Sequence, residues 1–294
     1  MNFSSEARGH LAMFAFSMLI AGSFSIGSRI SNLVEPTAIM ALRFFISGVI
    51  IGIWAGIGPG IRRAHFRAPW RYAVLGALFA TYFVLMFEGL KTAPAVSVSA
   101  VFTLTPIMSA VAAYFLLRQV LTGRVALALA VGACGAVWVI FRADPVAILR
   151  FDIGRGEAIY LVGCVCHAVY VPLVARLVRG EPILVSTFGM SVAGWLLLTA
   201  ISLPELLRTE WSALPVIFWL GLAYLSIAAS VLSFFLLQYG SLRLPSAKVM
   251  AYTYLTPTWV TAWEVMLTGH FPPALVLAGI AATVVALFML VRTG

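Results

Sequence analysis

The 294-residue chain is 62% hydrophobic and 10% charged, with a formal charge of +9 and mean hydropathy of +1.04. A soluble domain holds about 25% charged residues, so this chain has more apolar surface than one aqueous core can hide and takes lipid as its solvent. Its 19 Lys and Arg residues stand in short gaps between apolar runs rather than on one continuous face, which excludes nucleic-acid binding as the source of the charge.

A spanning helix takes about 20 apolar residues. That length predicts spans at 9–29, 36–57, 71–90, 95–117, 124–141, 155–177, 182–203, 213–239, 246–268 and 273–291. The first follows a basic Arg8, as a secretory signal would. It reads as a retained span, because the run continues through Ser23, Ser25 and Ser28 to Arg29 and a similar segment opens the second half. The longest connections, 58–70 and 142–154, leave no room for a soluble domain. The fold class is therefore all-α and integral to the membrane.

Basic residues gather at the cytoplasmic ends of spans. With a cytoplasmic N-terminus, twelve fall inside: Arg8, Arg62, Arg63, Arg67, Arg71, Arg118, Arg124, Arg176, Arg179, Arg243, Lys248 and Arg292. Six fall outside, at Arg29, Lys91, Arg142, Arg150, Arg155 and Arg208, among the acids Glu35, Asp144, Asp152, Glu157, Glu205 and Glu210. Both termini are thus expected in the cytoplasm of a bacterial inner membrane.

The chain repeats itself at an offset of 151 residues. Gly89, Pro94 and Leu104-Thr105-Pro106 match Gly240, Pro245 and Leu255-Thr256-Pro257 without a gap. Gly9 corresponds to Gly156, and Glu35-Pro36 to Glu181-Pro182. Five spans per half is an odd number, so the second copy enters from the opposite side. The expectation is ten helices in two inverted five-helix repeats, 1–147 and 148–294, with a substrate site at their interface and alternating access.

The paired Leu-Thr-Pro motifs, the ten-span duplication and Leu42-Arg43-Phe44 resemble the EamA-type branch of the drug/metabolite transporter superfamily, over nearly the whole chain. Within it the general likeness of the first and third spans is closest to bacterial aromatic amino-acid exporters. That resemblance implies export of amino acids or related small amphiphilic metabolites, or of amphiphilic cations. One departure stands out: the family often places Gly-Glu after the fourth and ninth spans, where this chain has Arg118-Gln119 and Gly269-His270.

Several residues are candidates for the chemistry. Pro106 and Pro257 lack an N–H midway along their spans, which frees the carbonyls of Phe102 and Thr253 for a cavity, unless they are ordinary tolerated kinks. Arg43, Glu88 and Glu264 are charges within spans. Arg43 lies seven residues past Pro36, about 10 Å down at roughly 1.5 Å per residue, a depth that permits a bridge to Glu88 or Glu264. Such a bridge is either a gate or carboxylate clamp, or a static pair. His167 near the centre of span six is a proton relay or a satisfied polar group. Tyr82, Tyr252 and Phe102 are candidate walls of a cavity between spans one, three, four, six, eight and nine, each with interhelical packing as the plainer role. Gly89 and Gly240 are hinges or close helix contacts. Lys248 reads as a snorkelling anchor, and Trp54, Trp70, Trp211, Trp219 and Tyr239 as interfacial residues.

Cys134, Cys164 and Cys166 lie inside apolar runs, and Cys164-x-Cys166-His167 lacks structural-zinc spacing, so no metal is expected. No nucleotide-binding loop, H-E-x-x-H or nucleophile elbow occurs, so no cofactor, ATP-driven step or enzymatic activity is expected. The expected partners are the lipid bilayer and a small-molecule substrate, with no nucleic acid, and the chain is expected to be a monomer or weak oligomer. A lipid or sugar-carrier flippase of the same fold, or an enzyme acting on lipid-linked substrates, are the alternative functions.

Overall fold

The computed structural model describes residues 5–292 apart from 121, 242 and 245, so Pro245 of the repeat lies outside the described residues. The first half consists of α1 Ser5–Ile30, α2 Pro36–Ile57, α3 Trp70–Leu90, α4 Ala95–Phe102, α5 Thr105–Leu117 and α6 Gly123–Ile140. A short α7, Pro145–Arg150, leads into the second half: α8 Arg155–Leu177, α9 Ile183–Arg208, α10 Val216–Ala223, α11 Ser233–Ser241, α12 Ser246–Ala251, α13 Thr256–Thr268 and α14 Ala274–Arg292.

Among the described residues nine helices are long and apolar enough to cross a membrane, with α4 and α5 together forming the fourth and Val216–Ser241 the eighth. The ninth expected span, 246–268, is not one continuous helix. It is divided into α12, a 3₁₀ stretch Tyr252–Leu255, and α13. Span four breaks at the same place, between α4 and α5.

Local chemistry sets these boundaries. Pro36 opens α2 at a position where the missing N–H costs nothing. Asp144 caps α7 by accepting from the N–H groups of Val146 (2.8 Å) and Ala147 (3.3 Å). Pro106 and Pro257 each stand in the first turn of the helix after a break, so neither clashes with a preceding turn. The carbonyl of Thr253, expected to be free, accepts the Thr256 hydroxyl at 2.7 Å. At the far ends of these helices the backbone turns left-handed, at Arg118 (φ 55°) and at Gly269 (φ 73°).

The contacts form a pseudo-two-fold pattern. Helix α8 packs against α3, α4 and α5, while α1 packs against the Tyr224–Leu232 segment, α11 and α13. Helices α2 and α9 pair with each other, as do α6 and α14. Each half therefore docks its first helix on the third and fourth crossings of the other, as an inverted duplication requires. At Gly135 and Gly279 the α6–α14 crossing is so close that a Cβ on either would lie 2.7 or 2.8 Å from the other's carbonyl oxygen.

One helix departs from the repeat. The eighth span runs as a π-helix from Tyr224 to Leu232, whereas the matching stretch of α3 is regular. The extra residue per turn re-aims Ser230, a type of distortion found disproportionately at functional sites.

Candidate functional site

A cavity of about 620 Å³ lies between the halves, walled by α1 to α4, α8, α9, the π segment, α11 and α12. Spans two and seven, left out of the expected wall, contribute Arg43, Phe44 and Ser47 from one and Ser186, Thr187 and Met190 from the other. The lining runs out to Val178, Ile183, Ser241 and Val249, at the end of the bundle that carries the start of α1. Toward the opposite end it stops at Phe24, Met86 and Phe102. Behind them Phe87, Tyr160 and Phe218 are wholly buried. The cavity is thus open at one end and sealed at the other.

Three of the four expected wall residues meet here. His167 has the Tyr82 ring at 4.6 Å and the Phe102 ring at 5.8 Å between centroids. Tyr160 donates its hydroxyl to Tyr82 at 3.1 Å, which fixes the Tyr82 ring in the wall. Phe79 stacks on Tyr170 at 4.9 Å and meets Phe83 edge-on at 4.8 Å, completing an aromatic shell. The sequence reading did not pick out Phe79, Phe83 or Tyr170 for the wall. The available signal was the three-residue spacing of Phe79 from Tyr82 and of Tyr170 from His167, with Phe83 four residues beyond Phe79.

Tyr252 does not join them. It is hydrogen-bonded to His10 Nδ1 at 2.9 Å, outside the cavity, and Thr253 lines the cavity in its place. The 3₁₀ stretch beginning at Tyr252 advances each residue about 20° further around the axis than an α-helix does, which changes the face each side chain presents.

The expected bridges from Arg43 to Glu88 or Glu264 do not form. Glu264 instead takes both terminal nitrogens of Arg29, at 3.2 and 3.4 Å, tying α13 to α1. Glu88 and Glu35 share Lys91, at 3.2 and 3.0 Å. Burial alone would pull the Lys91 ammonium down, but its bonds to Glu35 and Glu88 hold its pKa above the ordinary 10.5. Depth along a span does not fix the direction a side chain faces, and these acids face other neighbours. Both ion-paired groups lie at the sealed end.

At the open end the ties are different. Arg71 donates to Glu181 and to the Leu177 carbonyl, both at 2.6 Å, joining α3 to the loop between α8 and α9. Burial pushes the Glu181 carboxyl up, but the bonds from Arg71 and the Arg179 N–H outweigh it and hold the pKa below 4.5. Lys248, expected only as an anchor, reaches Glu6 at 3.1 Å.

Gly89 and Gly240 sit at close helix contacts. A Cβ on Gly89 would stand 2.7 Å from the carbonyl oxygen of Gly156, and 3.1 Å from Tyr160 Cβ. A Cβ on Gly240 would meet the Met13 sulfur at 2.5 Å, with the Gly9 carbonyl at 3.7 Å. The two contacts are counterparts under the repeat, and only the first brings backbone hard against backbone.

A duplicated helical bundle with a one-ended aromatic cavity between its halves defines a membrane transporter. The chain belongs to the EamA-like transporter family, whose model matches residues 7–141 and again 154–292. A relative, the uncharacterized transporter YyaM of Bacillus subtilis (strain 168), is 26% identical over 251 residues, 84% of this chain and 82% of its own. A solved crystal structure aligns over 96% of this chain and 95% of its own with a TM-score of 0.68 at 22% identity, which shows a shared fold.

Proposed function

We propose that the chain is a secondary carrier that exports small amphiphilic metabolites, amino acids among them, by alternating access. The observation that carries the reading is the cavity of about 620 Å³, open at one end of the bundle and sealed at the other. Its aromatic and hydroxyl-bearing wall suits cargo with an apolar body and a polar group. The excess of basic residues at that end supports a cytoplasmic open end and cytoplasmic termini in a bacterial inner membrane, which makes the conformation inward-open on this reading. The two units that rock against each other are 1–147 and 148–294. The direction and the amino-acid cargo rest on likeness to exporters.

Purified protein in liposomes, given radiolabelled amino acids and hydrophobic cations inside and out, tests this. Saturable counterflow of at least one of them is expected, and running it with and without a proton gradient shows whether protons are coupled. Failure to move any of these solutes would overturn the carrier reading.

A further inference from the structure

Arg43 is 1% exposed and stands in the cavity wall, with Nη1 and Nη2 buried behind its surface. It lies over the Phe83 ring, 3.9 Å from the centroid. Its Nε donates to Ser230 Oγ at 3.0 Å, while Nη1 and Nη2 have no hydrogen-bond partner among the described residues. Ser230 is oriented to accept, because its own hydroxyl donates to the Leu225 carbonyl at 2.8 Å, five residues back along the π segment. The nearby Ser47 hydroxyl is committed to Arg43's own carbonyl at 2.7 Å.

Among the described residues no carboxylate lines the cavity. Glu264 is held by Arg29, Glu35 and Glu88 by Lys91, Glu181 by Arg71, and Glu6 by Lys248. A buried cation with open donors is costly and is ordinarily met by an anion. A single ring face answers only part of the charge and none of the N–H groups. A second donor or acceptor in the same wall, His167 Nδ1, is also without a partner among the described residues. Under the repeat, the position matching Arg43 is Gly189, so the charge has no counterpart in the other half.

We infer that the cavity takes organic anions, with a carboxylate on Nη1 and Nη2 of Arg43 and an aromatic or apolar body against Phe79, Tyr82, Phe83 and Tyr170. This rests on the carrier reading and narrows its cargo. One guanidinium balances one negative charge, and its planar pair of terminal nitrogens matches a carboxylate's two oxygens. An amine in the same place meets like charge and no carboxylate.

The test is equilibrium binding to the detergent-solubilised full chain of three probes of similar shape: 3-phenylpropionate, L-phenylalanine and 3-phenylpropylamine. The acid is expected to bind about tenfold or more tightly than the amine, the range a charge-assisted hydrogen bond supplies, with the zwitterion between them. Arg43→Gln, checked for wild-type thermal unfolding, is expected to abolish that preference, and Arg43→Lys to retain part of it. Amine binding as tight as the acid's, no acid binding at millimolar concentration, or a folded Arg43→Gln protein with the preference intact would each overturn the inference. The wild-type comparison of acid and amine decides it even where the variant does not fold. Counterflow of some other cargo in the liposomes, without preference for acids, would overturn this inference and leave the carrier standing. Absence of all counterflow overturns the carrier, while the probe ranking still reads out the site.

Discussion

Arg118 and Gly269 hold the same left-handed backbone at equivalent ends of α5 and α13, but only one is glycine. The Cβ of Arg118 crowds the following carbonyl there, a cost of about 1 kcal/mol that glycine avoids. Arg118→Gly is expected to raise stability by about 1 kcal/mol or less, because glycine also gains freedom in the unfolded chain. Thermal unfolding in detergent checks it. A second residue-scale expectation concerns Glu181, whose carboxyl is 8% exposed against Arg71. Its folded pKa is depressed, so the bridge stabilises above the unfolded value near 4.5 and the contribution is lost as pH falls through the folded value. Glu181→Gln leaves Arg71 facing an uncharged partner and is expected to cost about 2 kcal/mol at pH 7, toward the low side of buried pairs because water reaches this end. The gap in unfolding temperature between variant and wild type is expected to narrow as pH falls below 4.5 and to close beneath the depressed folded value. At this scale the sequence was only partly readable. Tyr82, Phe102 and His167 were legible as wall residues from residue type and mid-span position. Arg43 was legible as a buried charge but not as an unpaired one, because pairing depends on the direction each side chain faces, and Tyr252 was misplaced by a 3₁₀ turn.

Whole helices were more legible, since hydropathy and proline positions record them directly. The breaks in spans four and nine follow from Pro106 and Pro257, and the glycine pattern follows from helix crossings. The π segment of the eighth span left no such mark, since Tyr224–Leu232 holds no proline or glycine and is apolar enough to continue a span. At the element scale the α3–α8 crossing gives the expectation. Gly89→Ala would push a methyl into the Gly156 carbonyl, which is backbone and cannot swing aside. A loss of about 1 to 3 kcal/mol is expected, as for overpacked cores. Gly56→Ala, with nothing within 4 Å of the added carbon, is the control and is expected to be neutral or slightly stabilising. Equal unfolding temperatures for the two variants would contradict the tight crossing.

For the molecule as a whole, the one-ended cavity sets which positions meet water. Thr187 lines the cavity toward its open mouth, and Met86 toward its sealed end. With Cys134 replaced by serine, Thr187→Cys is expected to react with a membrane-impermeant maleimide added on the cytoplasmic side, and not from the opposite side in the absence of cargo. Labelling from the opposite side alone would reverse the orientation derived from charge. The duplication was readable from a fixed offset, and so was the existence of a site between the halves. Which end was open was not, because a repeat related by inversion encodes both ends alike.

The matched crossings have a thermodynamic consequence. At the sealed end Gly89 meets Gly156 beside Tyr160, and at the open end Gly240 faces Gly9 across Met13. Tyr160 and Met13 occupy corresponding places in the two halves. Under the alternating access proposed above, opening one end while shutting the other would exchange two near-copies of one interface, and most of the free energy would cancel in the subtraction. What survives comes from the few mismatched positions, such as a tyrosine hydroxyl bonded to Tyr82 on one side and a pliable thioether on the other. On that proposal two conformers made from one repeated pattern would be nearly degenerate without fine adjustment, and a cargo of ordinary affinity would be enough to tip the balance.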